Sequence, residues 1–190
     1  ALALFVDGVD GTLARAVNVQ KNTPEIDGAI LDNIIDYLNY VVIPVFIFYT
    51  LRMVPDQYLI LSSALILLVS CFTFTNSNIK TDDYYFSGFP AIWNIVILYF
   101  YLLGSSQWNN LFFVILFCVL TFIPFKYVHP FRVVQFRKIT LTIISIWMVT
   151  TTVLLFDVSF NNALFKTINY MLWLLTNIYF MALVIYRSVK

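Results

Sequence analysis

The sequence predicts an all-α, polytopic transmembrane helix bundle of about six full spans plus the end of a truncated one. Three observations carry that prediction. First, 61% of the 190 residues are hydrophobic, only 11% are charged and mean hydropathy is +0.86, whereas an ordinary soluble domain is about 45–50% apolar and about 25% charged. So large an apolar surplus cannot be hidden inside a globule of this size. Second, the apolar residues come in continuous runs of about twenty, the length a helix needs to cross a bilayer core, without the alternation of a barrel strand. Third, the Lys and Arg residues are distributed unevenly between alternate loops.

The chain opens Ala1-Leu-Ala-Leu-Phe-Val6 and then meets Asp7. Six apolar residues are too few to span and lack the basic flank of a signal peptide. They read as the end of a helix whose beginning is missing, and the chain as N-terminally truncated. The runs that follow are roughly Ala29–Thr50, Tyr58–Thr75, Ala91–Trp108, Leu111–Tyr127, Ile139–Phe156 and Leu164–Tyr186. Helices are required because hydrocarbon offers no water to exposed backbone groups. Alternating the loops places Arg15, Lys21, Lys80, Lys126, Arg132, Arg137, Lys138, Arg187 and Lys190 on one side, nine of the eleven Lys and Arg; Arg52 and Lys166 fall on the other. The basic side is therefore the cytoplasmic one. With no repeat, linker or boundary in view, residues 1–190 read as one membrane domain. Cys71 and Cys118 both lie in apolar runs and read as small buried hydrophobes, not as a disulfide.

Six of the ten acidic residues (Asp7, Asp10, Glu25, Asp27, Asp32 and Asp36) fall within the first 36 positions. Asp7 and Asp10 are spaced i,i+3, and Asp32 and Asp36 i,i+4, so each pair shares one helix face. The intervening connection, about Ala16 to Asp27, is short enough to make the two helices antiparallel neighbours, and the four carboxylates converge near one interface. A carboxylate in a membrane helix costs roughly 2.5–3.5 kcal/mol at the centre, and no basic residue is interleaved on these faces. Divalent cations are the natural compensation, since hard oxygen ligands suit Mg²⁺ or Mn²⁺. Glu25 and Asp27 read as ordinary helix-end residues. Gly11 and Ala14 lie one turn beyond Asp7 and Asp10, where small side chains admit a nucleotide or diphosphate close to the backbone.

The full pattern is Asp7-x2-Asp10-Gly11-x2-Ala14-Arg15, twelve residues, then Gly28-x3-Asp32-x3-Asp36. It resembles the signature of the CDP-alcohol phosphatidyltransferase family at all eight fixed positions. Most members have about eight residues between the Arg and the second Gly. The longer spacing here, with the local text Val-Asp-Gly-Val-Asp-Gly and Leu-Asp-Asn-Ile-Ile-Asp-Tyr, is similar to the bacterial branch that uses choline as acceptor. The resemblance implies two metal ions, Mn²⁺ or Mg²⁺, held by Asp7, Asp10, Asp32 and Asp36. It makes Asp36 the general base as well, and lays Gly11, Ala14, Arg15 and Gly28 against the CDP-lipid. The implied reaction transfers a phosphatidyl group from CDP-diacylglycerol to choline, giving phosphatidylcholine and CMP.

A second polar stretch reads Lys80-Thr-Asp82-Asp83-Tyr84-Tyr85-Phe86-Ser-Gly88-Phe89-Pro90-Ala-Ile-Trp93-Asn94. Aromatic rings beside acids suit a quaternary ammonium, which offers no N–H and must be held by ring faces and diffuse charge. Tyr84, Tyr85, Phe86 and Trp93 are therefore candidate choline contacts, with an interfacial aromatic belt as the plain alternative. The stretch from Lys126 to Lys138 is basic and suits lipid phosphate or simple topogenic anchoring; His129 reads as an interfacial hydrogen-bonding residue. The expected setting is a bacterial inner (cytoplasmic) membrane with the active site facing the cytoplasm. Membrane lipids are the expected surroundings, no nucleic acid is expected as a partner, and the choice between monomer and homodimer stays open. Two rival readings are another acceptor in the same family (serine, inositol or glycerol phosphate) and a cation-coupled secondary transporter.

Overall fold

A computed structural model describes residues 25, 27–76, 85–128, 136–156 and 162–189. Among these, the residues within Ala1–Asn76 and Ala91–Cys118 form one compact unit, and those within Ser77–Pro90 and Val119–Lys190 another. The elements are helical apart from two three-residue strands. Among the described residues, four helical stretches are long and apolar enough to cross a membrane: Gly28–Thr50, Asp56–Thr75, Arg137–Leu155 and Ala163–Tyr186. This chain is a helical membrane protein.

In the first unit, α1 (Gly28–Tyr37) begins at Asp27, whose carboxylate accepts from the backbone N–H groups of Ala29 and Ile30 at 2.9 and 3.2 Å. Two of the orphan donors of the first turn are satisfied in this way. Asp27, expected only as an ordinary helix-end residue, is thus a helix cap. The span continues through a wide π-helical turn (Leu38–Val42), in which the Ile43 N–H reaches back to the Leu38 carbonyl, into α2 (Ile43–Thr50). Pro44 explains the widening: it lacks an N–H, and its ring crowds the carbonyl four residues earlier. Val41, Pro44, Val45 and Phe48 form the buried face of this half.

A tight turn leads to α3 (Asp56–Thr75), whose buried stripe is Leu59, Ser62, Ser63, Ile66, Ser70 and Thr73. Small polar residues at such a stripe let helices approach closely. Ser63 and Thr73 return their hydroxyls to the carbonyls of Leu59 and Val69, and Ser70 accepts the indole N–H of Trp93 at 2.8 Å. The turn between α2 and α3 is anchored by Gln107, which donates to the Arg52 carbonyl, and by buried Asn110, which donates to that of Met53. An exposed Arg52–Asp56 ion pair of 2.9 Å lies at the same end.

The runs Ala91–Trp108 and Leu111–Tyr127 yield shorter helices than expected, α4 (Trp93–Leu103) and α5 (Gln107–Leu120). At 1.5 Å per residue they measure about 16 and 21 Å, short of the roughly 30 Å hydrocarbon core. Of the roughly six spans expected, the described residues thus show four full-length ones and two half-length apolar helices. Gly104, left-handed at φ 55°, ends α4 as a C-terminal cap. Beyond Leu120 the chain turns through Pro124, which cannot continue a helix. Cys118 is buried as expected; Cys71 is exposed on α3, and both thiols are free.

In the second unit, β1 (Tyr85–Ser87) pairs antiparallel with β2 (Lys126–Val128), in the register Tyr85 to Val128, Phe86 to Tyr127 and Ser87 to Lys126. The Gly88 and Phe89 N–H groups extend the ribbon to the carbonyls of Phe125 and Leu120, at 2.9 and 3.1 Å. α6 (Arg137–Leu155) and α7 (Ala163–Val189) pack as an antiparallel hairpin. Asn162 caps α7, accepting from the N–H groups of Leu164 and Phe165. Three side-chain bonds cross the hairpin: Thr140 with Tyr179 at 2.8 Å, Asn169 to the Thr150 carbonyl at 3.1 Å, and Trp173 to the Thr151 hydroxyl at 3.1 Å. Each such bond in a membrane contributes about 0.6 kcal/mol.

Two substitutions test these assignments. Gly88 has φ +87°, and a Cβ there would sit 2.2 Å from the Thr121 carbonyl oxygen. Gly88→Ala is therefore expected to disrupt the ribbon and lower the thermal midpoint in detergent, whereas Gly104→Ala, with nothing within 4 Å of its Cβ position, meets only the left-handed backbone penalty of about 1–2 kcal/mol. At the α1 cap, Asp27→Ala should cost about 1 kcal/mol and Asp27→Asn close to nothing, because Asn caps as well as Asp. Thermal unfolding of the two Asp27 variants measures the difference.

Candidate active site

Gly28, Asp32 and Asp36 recur every four residues along α1 and so form one stripe about 12 Å long. Asp32 is exposed and Asp36 half-buried. Among the described residues a Cβ at Gly28 would meet nothing within 4 Å, which leaves a strip of backbone beside the carboxylates open toward them. Around the stripe, Ile30, Leu31, Ile34 and Ile35 are 46–59% exposed, and α1 has no buried residue. The stripe thus presents two carboxylates at one end of an otherwise apolar span.

The residue after Asp36 ties α1 to α3. The Tyr37 hydroxyl donates to the Leu67 carbonyl of α3 at 2.9 Å, and its ring lies edge-on to Phe74 with centroids 5.6 Å apart. Immediately beyond comes the π turn. Neither feature was read from the sequence, although Pro44 inside an apolar run is a visible signal for an interrupted helix.

Asp7, Asp10, Gly11, Ala14 and Arg15 lie outside the described residues, as do Tyr84 and His129. Among the described residues no group of three or more His, Cys, Asp or Glu gathers as a metal cluster. The two carboxylates that are described fit a hard divalent cation in chemical type and in their one-turn spacing.

Of the aromatic stretch, Tyr85 and Phe86 belong to the backbone of β1. Trp93 differs in kind: it is 1% exposed, donates its N–H to Ser70, and meets Phe117 edge-on at 6.3 Å. It is a core residue, and its ring faces are taken up by protein. Phe89 is also buried and lies edge-on to Tyr127 at 6.1 Å, and burial raises the Tyr127 hydroxyl above its usual pKa. In the basic stretch, Arg137 and Lys138 are exposed at the start of α6.

The comparisons with known proteins agree with this geometry. The family model of the CDP-alcohol phosphatidyltransferases matches residues 1–187. The chain is 39% identical over 189 residues to a phosphatidylcholine synthase of Pseudomonas aeruginosa, covering 100% of this chain and 78% of that relative. It is 47% identical over 133 residues to the phosphatidylcholine synthase of Legionella pneumophila, covering 70% and 52%. With the phosphatidylcholine synthase of Rhizobium meliloti it shares 38% over 148 residues, covering 78% and 61%. The match thus spans from about half to about four-fifths of the length of these relatives. A match over nearly the whole chain, together with the carboxylate stripe of α1, establishes that the chain belongs to the CDP-alcohol phosphatidyltransferase family.

Proposed function

We propose that this protein transfers the phosphatidyl group of CDP-diacylglycerol to choline, releasing phosphatidylcholine and CMP, at the cytoplasmic face of a bacterial inner membrane. The observation that carries the proposal is the Gly28–Asp32–Asp36 stripe, open along one face of α1, in a chain whose relatives are named phosphatidylcholine synthases. The predominance of Lys and Arg on one side of the predicted spans supports the orientation. The same reading takes residues 1–190 as one functional domain, since the family match runs across both compact units.

Members of the family use divalent metal ions. In this chain Asp7, Asp10, Asp32 and Asp36 are the proposed ligands of two, Mn²⁺ or Mg²⁺. A metal pair supplies neutralisation of the diphosphate charge and orientation for in-line displacement. The chain's own residues do the rest. Asp36 takes the proton of the choline hydroxyl, since an alcohol is a poor nucleophile until a base removes it. The choline oxygen then forms its bond to the phosphorus that bears diacylglycerol, and the bond from that phosphorus to the CMP oxygen breaks. CMP leaves with the electron pair. Gly11, Ala14 and Gly28 leave room for the nucleotide and diphosphate to approach backbone, and Arg15 offsets part of their charge. For choline, the aromatic rings of Tyr84, Tyr85 and Phe86 are the proposed recognition surface. Trp93, being core, supports the fold in place of touching the substrate.

Asp36→Asn keeps the shape of the side chain but cannot accept the proton. It should abolish CMP release from CDP-diacylglycerol and choline while metal binding is partly retained. Exhaustive chelation should stop the wild-type reaction, and added Mn²⁺ or Mg²⁺ should restore it. A normal rate in the Asp36→Asn protein removes the base assignment; a normal rate after chelation removes the metal assignment.

Recognition of choline by ring faces is worth roughly 0.5–2 kcal/mol per contact. Replacing Tyr84, Tyr85 and Phe86 singly by Leu should therefore raise the choline KM about 2- to 30-fold at one or two of these positions. The KM for CDP-diacylglycerol should stay near wild type. Trp93→Leu is expected to lower thermal stability instead. Three variants with wild-type choline KM values would leave the stretch as an interfacial belt.

A further inference from the structure

The carboxylate stripe sits on a helix whose direction is set elsewhere. Viewed along the span, the buried positions of the π turn and α2 are Val41, Pro44, Val45 and Phe48, which recur with the α-helical period. Continued backward at that period, the buried face would pass through Tyr37 and Ile34 and leave Asp36 to one side. The π turn, Leu38–Val42, accommodates one extra residue between Tyr37 and Ile43, and the Ile43 N–H bonds five residues back to Leu38. Everything N-terminal to it is therefore rotated by about one residue, roughly 100°. Asp36 and Tyr37 then both come to the half-buried side, whereas Ile34 is 52% exposed. Tyr37 completes the arrangement: its hydroxyl bond to the Leu67 carbonyl and its ring contact with Phe74 attach α1 to α3 one residue from Asp36. α1 has no fully buried side chain, and these two features both act on its rotation at the residues next to Asp36.

We infer that Tyr37 and the Pro44-induced π turn are positioning devices that fix the rotation of α1, so that Asp32 and Asp36 face the reacting groups together. Neither residue touches substrate. This inference rests on the carboxylate reading of the preceding section and concerns how that site is held. It distinguishes their role from simple packing in a specific way. Tyr37→Phe keeps the ring contact and loses only the hydroxyl bond. Pro44→Ala restores a helical N–H, which favours a regular helix and should not weaken the fold.

The test measures Mn²⁺ binding by electron paramagnetic resonance on the full chain in detergent, beside turnover and thermal unfolding of the same samples. Tyr37→Phe and Pro44→Ala are expected to bind Mn²⁺ at least fivefold more weakly and to lose at least tenfold in kcat. Their choline KM should remain within twofold of wild type, and Pro44→Ala should unfold at or above the wild-type midpoint. Phe74→Leu, which removes only the ring partner, should have the smaller effect on Mn²⁺ binding. Wild-type Mn²⁺ affinity in both variants, with Asp36→Asn inactive, overturns the positioning role and leaves the carboxylate reading intact. Loss of Mn²⁺ binding that tracks loss of folded protein also overturns it, since the role would then be structural. An active Asp36→Asn protein overturns the underlying carboxylate reading itself.

Discussion

In hydrocarbon a polar group has no solvent to fall back on, and each one must be satisfied by the protein. That constraint organises what is seen here. Within α3 the Ser63 and Thr73 hydroxyls return to their own helix, and Ser70 meets the indole of Trp93. Across the α6–α7 hairpin, Thr140, Asn169 and Trp173 find partners on the facing helix. Where helical bonding stops, other groups take over: the Leu120 carbonyl accepts the Phe89 N–H, and Asn110 donates to the Met53 carbonyl of a turn. Apolar packing alone gives little specificity between helices in lipid, since lipid tails are equally apolar. The hydrogen bonds select which helices meet.

Against that background α1 stands apart. It presents Gly28, Asp32 and Asp36 along one face, and its large apolar residues are exposed. A helix used for packing would bury its apolar stripe; a helix used to present charge leaves the charged face open. Among the attachments that hold α1 are the Asp27 cap, the Tyr37 bond to α3 and the π turn before Pro44. Wide turns of this kind are uncommon and tend to occur where function has displaced regular helix geometry.

The aromatic and basic stretches, which the sequence presents as two separate loops, are joined in the structure by the β1–β2 ribbon. The ribbon depends on Gly88, whose backbone passes within a Cβ's reach of Thr121, and it sets Phe86 opposite Tyr127. Short strands suit this position. A two-stranded ribbon is barely stable alone, and here β2 continues from the turn that ends α5 while β1 leads through Phe89 into the buried interior of its unit.

The sequence by itself determined that this is a helical membrane protein, and where four of its spans run to within a few residues, because continuous apolar length is a property of the chain and not of its neighbours. It also determined the family, since eight residue types recur at fixed spacing in the chain whatever surrounds them. That Asp27 sits at a helix end was legible for the same local reason, and its capping of Ala29 and Ile30 came from the structure. Other features needed the tertiary structure. Apolarity does not tell a full span from a half-length helix, so Gly104 and the turn through Pro124 cut α4 and α5 short inside runs that looked continuous. An aromatic ring reads the same in sequence whether it faces a ligand or the core, and only its burial and its bond to Ser70 place Trp93 inside. The rotation of α1 likewise depends on which carbonyl the Ile43 N–H reaches and on a contact thirty residues away, between Tyr37 and Leu67. Spacing along a helix fixes which residues share a face; only packing decides where that face points.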